Sequence, residues 1–207
     1  MTDLRPSWDR AWKGVGAATD GEADFAALVE RHQDSQRSYH TLQHLTECFQ
    51  AFDHVRSLPP RPAEVEIALW FHDAIYDVHR SDNEEQSAAW AKSALLAAGV
   101  RAESAELVSS LILVTRHTAA PRTPDEFVLI DIDLAILGAE EPRFAEYERQ
   151  IRLEYGFVPQ AVFSMKRREI LASFLARPYI YSTPHFRAAL EARARANLAR
   201  VIGSDAA

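Results

Sequence analysis

Cysteine is nearly absent. Cys48 stands alone in a chain of 207 residues, so no intrachain disulfide can form and no cluster of thiolates can hold a metal. Long apolar runs are missing too, and nothing approaches the roughly 18 residues that a membrane span needs. The opening MTDLRPSWDRAW lacks the apolar core of a signal peptide, which makes a reducing cytoplasm the expected location. Positive charge is not in excess: 23 Lys and Arg face 30 Asp and Glu, for a net charge of −7. That balance argues against a nucleic-acid surface, which normally needs a basic stripe. It leaves room for a local basic pocket serving one small phosphorylated ligand. Repeats, low-complexity tracts and linkers are also absent.

What is present suits a folded core. Hydrophobic residues make up 47% and charged residues 26%, as in an ordinary globular protein. The length fits one domain spanning 1–207.

The apolar spacing is helical. Phe25, Leu28 and Val29 share a face in 24–32. Leu42, Leu45, Phe49, Phe52 and Val55 recur at three- and four-residue steps across 40–56. Pro59, Pro60 and Pro62 break the pattern, and Ile67, Ala68, Phe71 and Ile75 form the stripe of a helix from Glu64 onward. Further helices are expected over 85–98, 103–117, 142–154, 159–176 and 184–202. The segment FVLIDIDLAILG alternates like a strand. A helix is preferred, because every neighbour is helical and a lone strand has nothing to pair with. The expected class is therefore all-α, a single-domain helical bundle.

One dipeptide stands out against this background. His72-Asp73 lies inside the apolar run ALWFHDAIYD. Burying a carboxylate beside an imidazole is costly without a partner, and a divalent metal is a natural one. Further candidate ligands flank the pair. His40 and His44 lie four apart in YHTLQHL, one helical turn, so both rings can point the same way. Asp131 and Asp133 follow, and either can supply the last carboxylate. Imidazole and carboxylate without sulfur suit Mn, Fe, Co, Ni or Zn.

The ordered set H…HD…D resembles the HD superfamily of metal-dependent phosphohydrolases. The blocks YHTLQHL, ALWFHDAIYD, DNEEQSA, DIDLAILG and RPYIYSTPHFRAALEARARANL are together similar to one bacterial branch, described as predicted metal-dependent HD phosphohydrolases. The resemblance covers about residues 38–198. It implies an HD-type helical domain in which His44, His72 and Asp73 hold the metal. Both Asp131 and Asp133 fit as the last ligand, with Asp133 preferred. His40 and His117 fall where some members bind a second metal or phosphate.

Around these ligands, Asp77 and Glu84 are candidates for orienting an attacking water. Arg116 and Arg80 are candidates for phosphate, since a guanidinium fork binds phosphate oxygens, and Tyr39 for stacking on a base. The expected activity is hydrolysis of a small phosphorylated metabolite such as a nucleotide, by water that the metal activates. Two alternatives stay open: a di-iron oxygenase of the same fold, and a non-catalytic module that binds metal or ligand. No membrane or nucleic-acid polymer is expected as partner, and exposed apolar residues permit a homodimer.

Overall fold

The computed structural model describes residues 4–204. Among them the chain is all-helical, with ten α-helices, one short 3-10 helix and no strand. It divides into two compact units, one ending at Ile132 and the other beginning at Asp133.

The first unit contains α1 (Arg5–Gly14), α2 (Glu22–Arg31), α3 (Leu42–Val55), α4 (Pro62–Phe71), α5 (Asn83–Ala97), α6 (Ala102–Val114) and most of α7 (Pro124–Asp133). Its axis is α4. Every residue from Glu64 to Phe71 is buried, the pattern of a helix surrounded on all sides. α1, α3, α5 and α6 all pack against it. Trp70 lies at the centre of an aromatic cluster: Phe49 is 4.7 Å away, Trp8 5.4 Å and Phe25 5.7 Å between ring centroids.

Burying α4 all round also buries two carboxylates, and each has partners. Glu66 accepts from the Ser7 hydroxyl at 2.8 Å and from Arg10. Glu64 accepts from Arg61, whose backbone N–H donates to Asp125 Oδ1 at 2.9 Å. These pairs fix α1 and the start of α7 on α4.

The second unit holds the 3-10 helix Leu134–Gly138, then α8 (Glu141–Glu154), α9 (Gln160–Leu175) and α10 (Pro184–Ser204). Side chains satisfy the carbonyl end of the 3-10 helix. Asn197 donates to Leu137 O and Ala139 O at 3.0 and 2.9 Å, Tyr181 donates to Leu134 O at 3.1 Å, and Arg193 reaches Gly138 O.

Three expectations need correction. α3 starts at Leu42, not at residue 40: Thr41 takes an extended conformation and caps the helix by accepting from Gln43 N–H. His40 is therefore outside the helix. α6 stops at Val114, so His117 is outside its helix as well. α1 was not anticipated, although Trp8, Ala11 and Trp12 supply its buried face. The segment FVLIDIDLAILG is helical as expected, split between α7 and the 3-10 helix.

Candidate metal centre

His44 projects from the first turn of α3. α4 ends at Phe71 and His72 is its C-cap, with the backbone N–H still bonded to Ala68 O at 2.9 Å. Asp73 follows in the turn. Successive side chains on a helix diverge by about 100°, yet the donor atoms of His72 and Asp73 lie together at this helix end.

Three donor atoms form a near-equilateral triangle. His72 Nε2 lies 3.0 Å from Asp73 Oδ2 and 3.2 Å from His44 Nε2, and His44 Nε2 lies 3.5 Å from Asp73 Oδ2. Both histidines are buried, while the Asp73 side chain keeps 18% of its surface exposed. The triangle is thus closed on the protein side and open at the carboxylate.

The tautomer of His72 bears on what the triangle can hold. Its Nδ1 lies 2.9 Å from Leu69 O, so in the neutral ring that carbonyl takes the N–H and Nε2 keeps a lone pair. The lone pair then faces a carboxylate oxygen and a second imidazole nitrogen. A proton or a divalent cation among them removes the repulsion. A backbone acceptor on the far nitrogen is also how metal-bound histidines are usually oriented. Ligand atoms about 2.0–2.2 Å from one ion stand roughly 3–3.4 Å apart in octahedral or tetrahedral arrangements. The triangle has that size, so its residues fit a divalent metal.

Asp73 is poised as an anion. Burial pushes its carboxyl pKa up. When His72 and His40 are protonated, their positive charge and the hydrogen bonds from His44 and His72 outweigh it and hold the group well below the usual carboxylate range.

Sequence reasoning passed over Cys48. It lies one turn after His44 on α3, and its Sγ is 3.7 Å from His44 Nε2. His44, Cys48 and His72 form a buried group, with ligand atoms within 4.8 Å of one another, that could hold a metal ion. The i, i+4 spacing from His44 was the available signal.

The turn after Asp73 is fastened by residues of the DNEEQSA block. Ser87, fully buried, accepts from Ile75 N–H at 3.0 Å. The Asn83 side chain brackets Asp77, accepting from its N–H at 3.2 Å and donating to its carbonyl at 2.9 Å.

The other sequence candidates are distributed as follows. His40 is half-buried with its ring stacked on Tyr76 at 4.0 Å, and 5.9 Å from that of His44. Tyr39 is buried, its ring 4.7 Å from that of His44. Asp77 is exposed, and its carboxylate closes a turn by accepting from His79 N–H at 2.9 Å. Glu84 is half-buried in the first turn of α5. Arg80 donates to both oxygens of Asp82, and Arg116 pairs with Glu85 at 2.5 Å. His117 is half-buried past α6 in the left-handed conformation, with φ 54. Asp131 is fully buried near the end of α7, while Asp133 is half-buried and opens the second unit.

No protein-family model, curated protein or solved structure matches this chain.

Proposed function

We propose that this protein is a metal-dependent phosphohydrolase of the HD type acting on a small phosphorylated metabolite such as a nucleotide. The observation that carries the reading is the His44–His72–Asp73 triangle, three convergent donors with one edge open to solvent. Two imidazoles and a carboxylate favour first-row divalent ions. Bound there, such an ion would acidify a coordinated water and polarise a phosphoryl oxygen.

The chain's own residues divide the remaining work. His44 and His72 supply neutral nitrogen donors from a buried wall. Asp73 supplies the anionic donor at the mouth. Tyr39 backs the ring of His44, and Ser87 and Asn83 hold the turn that follows Asp73. Arg80 and Arg116 are each engaged by a carboxylate, so a phosphate that recruits either must displace Asp82 or Glu85.

The test is metal content followed by turnover. Protein purified without a metal-affinity step is analysed for bound metal. It is then assayed with Mn, Co, Ni and Mg against nucleotides and sugar phosphates, reading released phosphate and pyrophosphate. Metal-dependent release that disappears in a folded His72→Gln variant supports the reading. Tight metal binding with no turnover on any substrate overturns the hydrolase assignment and leaves a metal-binding module.

A further inference from the structure

Arg37 was not selected from the sequence, and among the described residues it is the one arginine that is buried, 8% exposed. Its guanidinium does not face solvent but the end of α4. Nη1 donates to Asp73 O at 2.6 Å and to His40 O at 3.2 Å, and Nη2 donates to Ala74 O at 3.0 Å. Its flat face lies over the Tyr76 ring, 5.6 Å from the centroid, and Tyr76 in turn stacks on His40.

A helix end leaves carbonyls without intrahelical partners and carries partial negative charge. A buried cation just past that end complements the partial charge, and its charge-assisted bonds satisfy carbonyls of the turn that follows. In this place it does something more specific. It binds the carbonyl of Asp73 itself, together with those of Ala74 and His40. The turn that carries Asp73 is thereby tied down at its backbone, with its carboxylate beside His72.

We propose that Arg37 is the positioning residue of the metal centre, capping the turn after α4 so that the neighbouring His72 and Asp73 converge on one ion. The proposal rests on the metal-binding reading above. Arg37 acts through the backbone of Asp73, to whose carbonyl it donates. The fork geometry is essential, because three carbonyls in different directions need donors spread over a plane, which a lysine ammonium on its flexible stem does not supply.

The experiment measures manganese affinity from the electron paramagnetic resonance signal of free Mn(II), and the cobalt d–d spectrum, in four proteins. These are the wild type, Arg37→Lys, Arg37→Met and Leu95→Ala, the last a buried core leucine of α5. Thermal midpoints are recorded alongside. The expected result is a loss of affinity of about 10–100-fold in both Arg37 variants, the range seen when an outer partner of a ligand is removed. Their cobalt spectra should change as well. Leu95→Ala should lower the midpoint while keeping wild-type affinity and spectrum. Wild-type affinity and spectrum in both Arg37 variants overturn the proposal. So does a loss of affinity in Leu95→Ala that scales with stability, or unfolding of both Arg37 variants, since a purely structural arginine gives those outcomes. A wild type that binds no metal fails differently: it overturns the metal reading itself.

Discussion

His72 Nε2 and Asp73 Oδ2 stand 3.0 Å apart although the two residues are consecutive in the chain. The pair sits where α4 ends, His72 being its C-cap. It defines the centre, since one donor is a buried imidazole nitrogen and the other a carboxylate oxygen that reaches solvent. Replacing His72 by glutamine removes the Nε2 lone pair and keeps a polar side chain of similar reach. Metal affinity should fall by at least about 100-fold, the upper end of what loss of even an outer partner costs. Circular dichroism should show helix content unchanged. Wild-type affinity in a folded His72→Gln protein would remove His72 from the centre.

Asp131 and Asp133 are separable by their surroundings. Asp131 is fully buried and belongs to the unit that holds the triangle. Asp133 belongs to the second unit, where its charge is one of the influences on the phenol of Tyr147, a group raised chiefly by burial. A fully buried carboxylate needs a compensating partner, which favours Asp131 as the last ligand, so Asp131→Asn is expected to weaken manganese binding more than Asp133→Asn, by about tenfold. Calorimetric titration of the two variants decides. The reverse ranking bears out the preference for Asp133 drawn from the family resemblance.

The helical class was legible because apolar residues recur at three- and four-residue steps, as in Leu42, Leu45, Phe49 and Phe52. The pair His72-Asp73 was legible as a polar interruption of an apolar run. What remained hidden was non-local. No pattern within ALWFHDAIYD says that α4 is buried all round, because periodicity distinguishes an amphipathic stripe and a fully enclosed helix has none. Nor does it say that the helix ends one residue before His72. Arg37 binds the turn that follows from 36 positions away, and a lone arginine in QDSQRSYH reads as surface. His40 was misplaced for a local reason: its four-residue spacing from His44 suggests a shared helix, but Thr41 is the cap that starts it.

Cys48 gives the centre two overlapping donor sets. A hard ion would meet His44, His72 and Asp73, and a soft one also the thiolate 3.7 Å from His44 Nε2. Soft sulfur donors favour zinc and cobalt over manganese. Cys48→Ser should lower zinc affinity by about tenfold or more while manganese affinity changes little. Competition with a chromophoric chelator measures both. The cobalt form of the wild type should also show a near-ultraviolet thiolate-to-cobalt band that Cys48→Ser lacks. Equal effects on zinc and manganese, with no such band, would reduce Cys48 to packing against the His44 ring.

His32 links the site to acid stability. It is 1% exposed, its Nδ1 lies 2.9 Å from Leu28 O, and its Nε2 is buried without a hydrogen-bond partner. Burial pushes its pKa down to about 3; the Leu28 bond and the charge of Asp73 oppose this, and the charges of Arg37 and His72 add to it. The folded state therefore holds a neutral ring where the unfolded chain protonates near pH 6.5. Below that value the unfolded state binds the extra proton. Stability is complete above pH 6.5 and is lost as pH falls toward 3. From this group alone the loss between pH 7.5 and pH 5 is about 2 kcal/mol. His32→Leu removes the titrating ring and its unpartnered nitrogen, so urea unfolding at the two pH values should show a pH difference smaller by about that amount. An unchanged acid limb in His32→Leu would mean that other groups, not His32, set the response to acid.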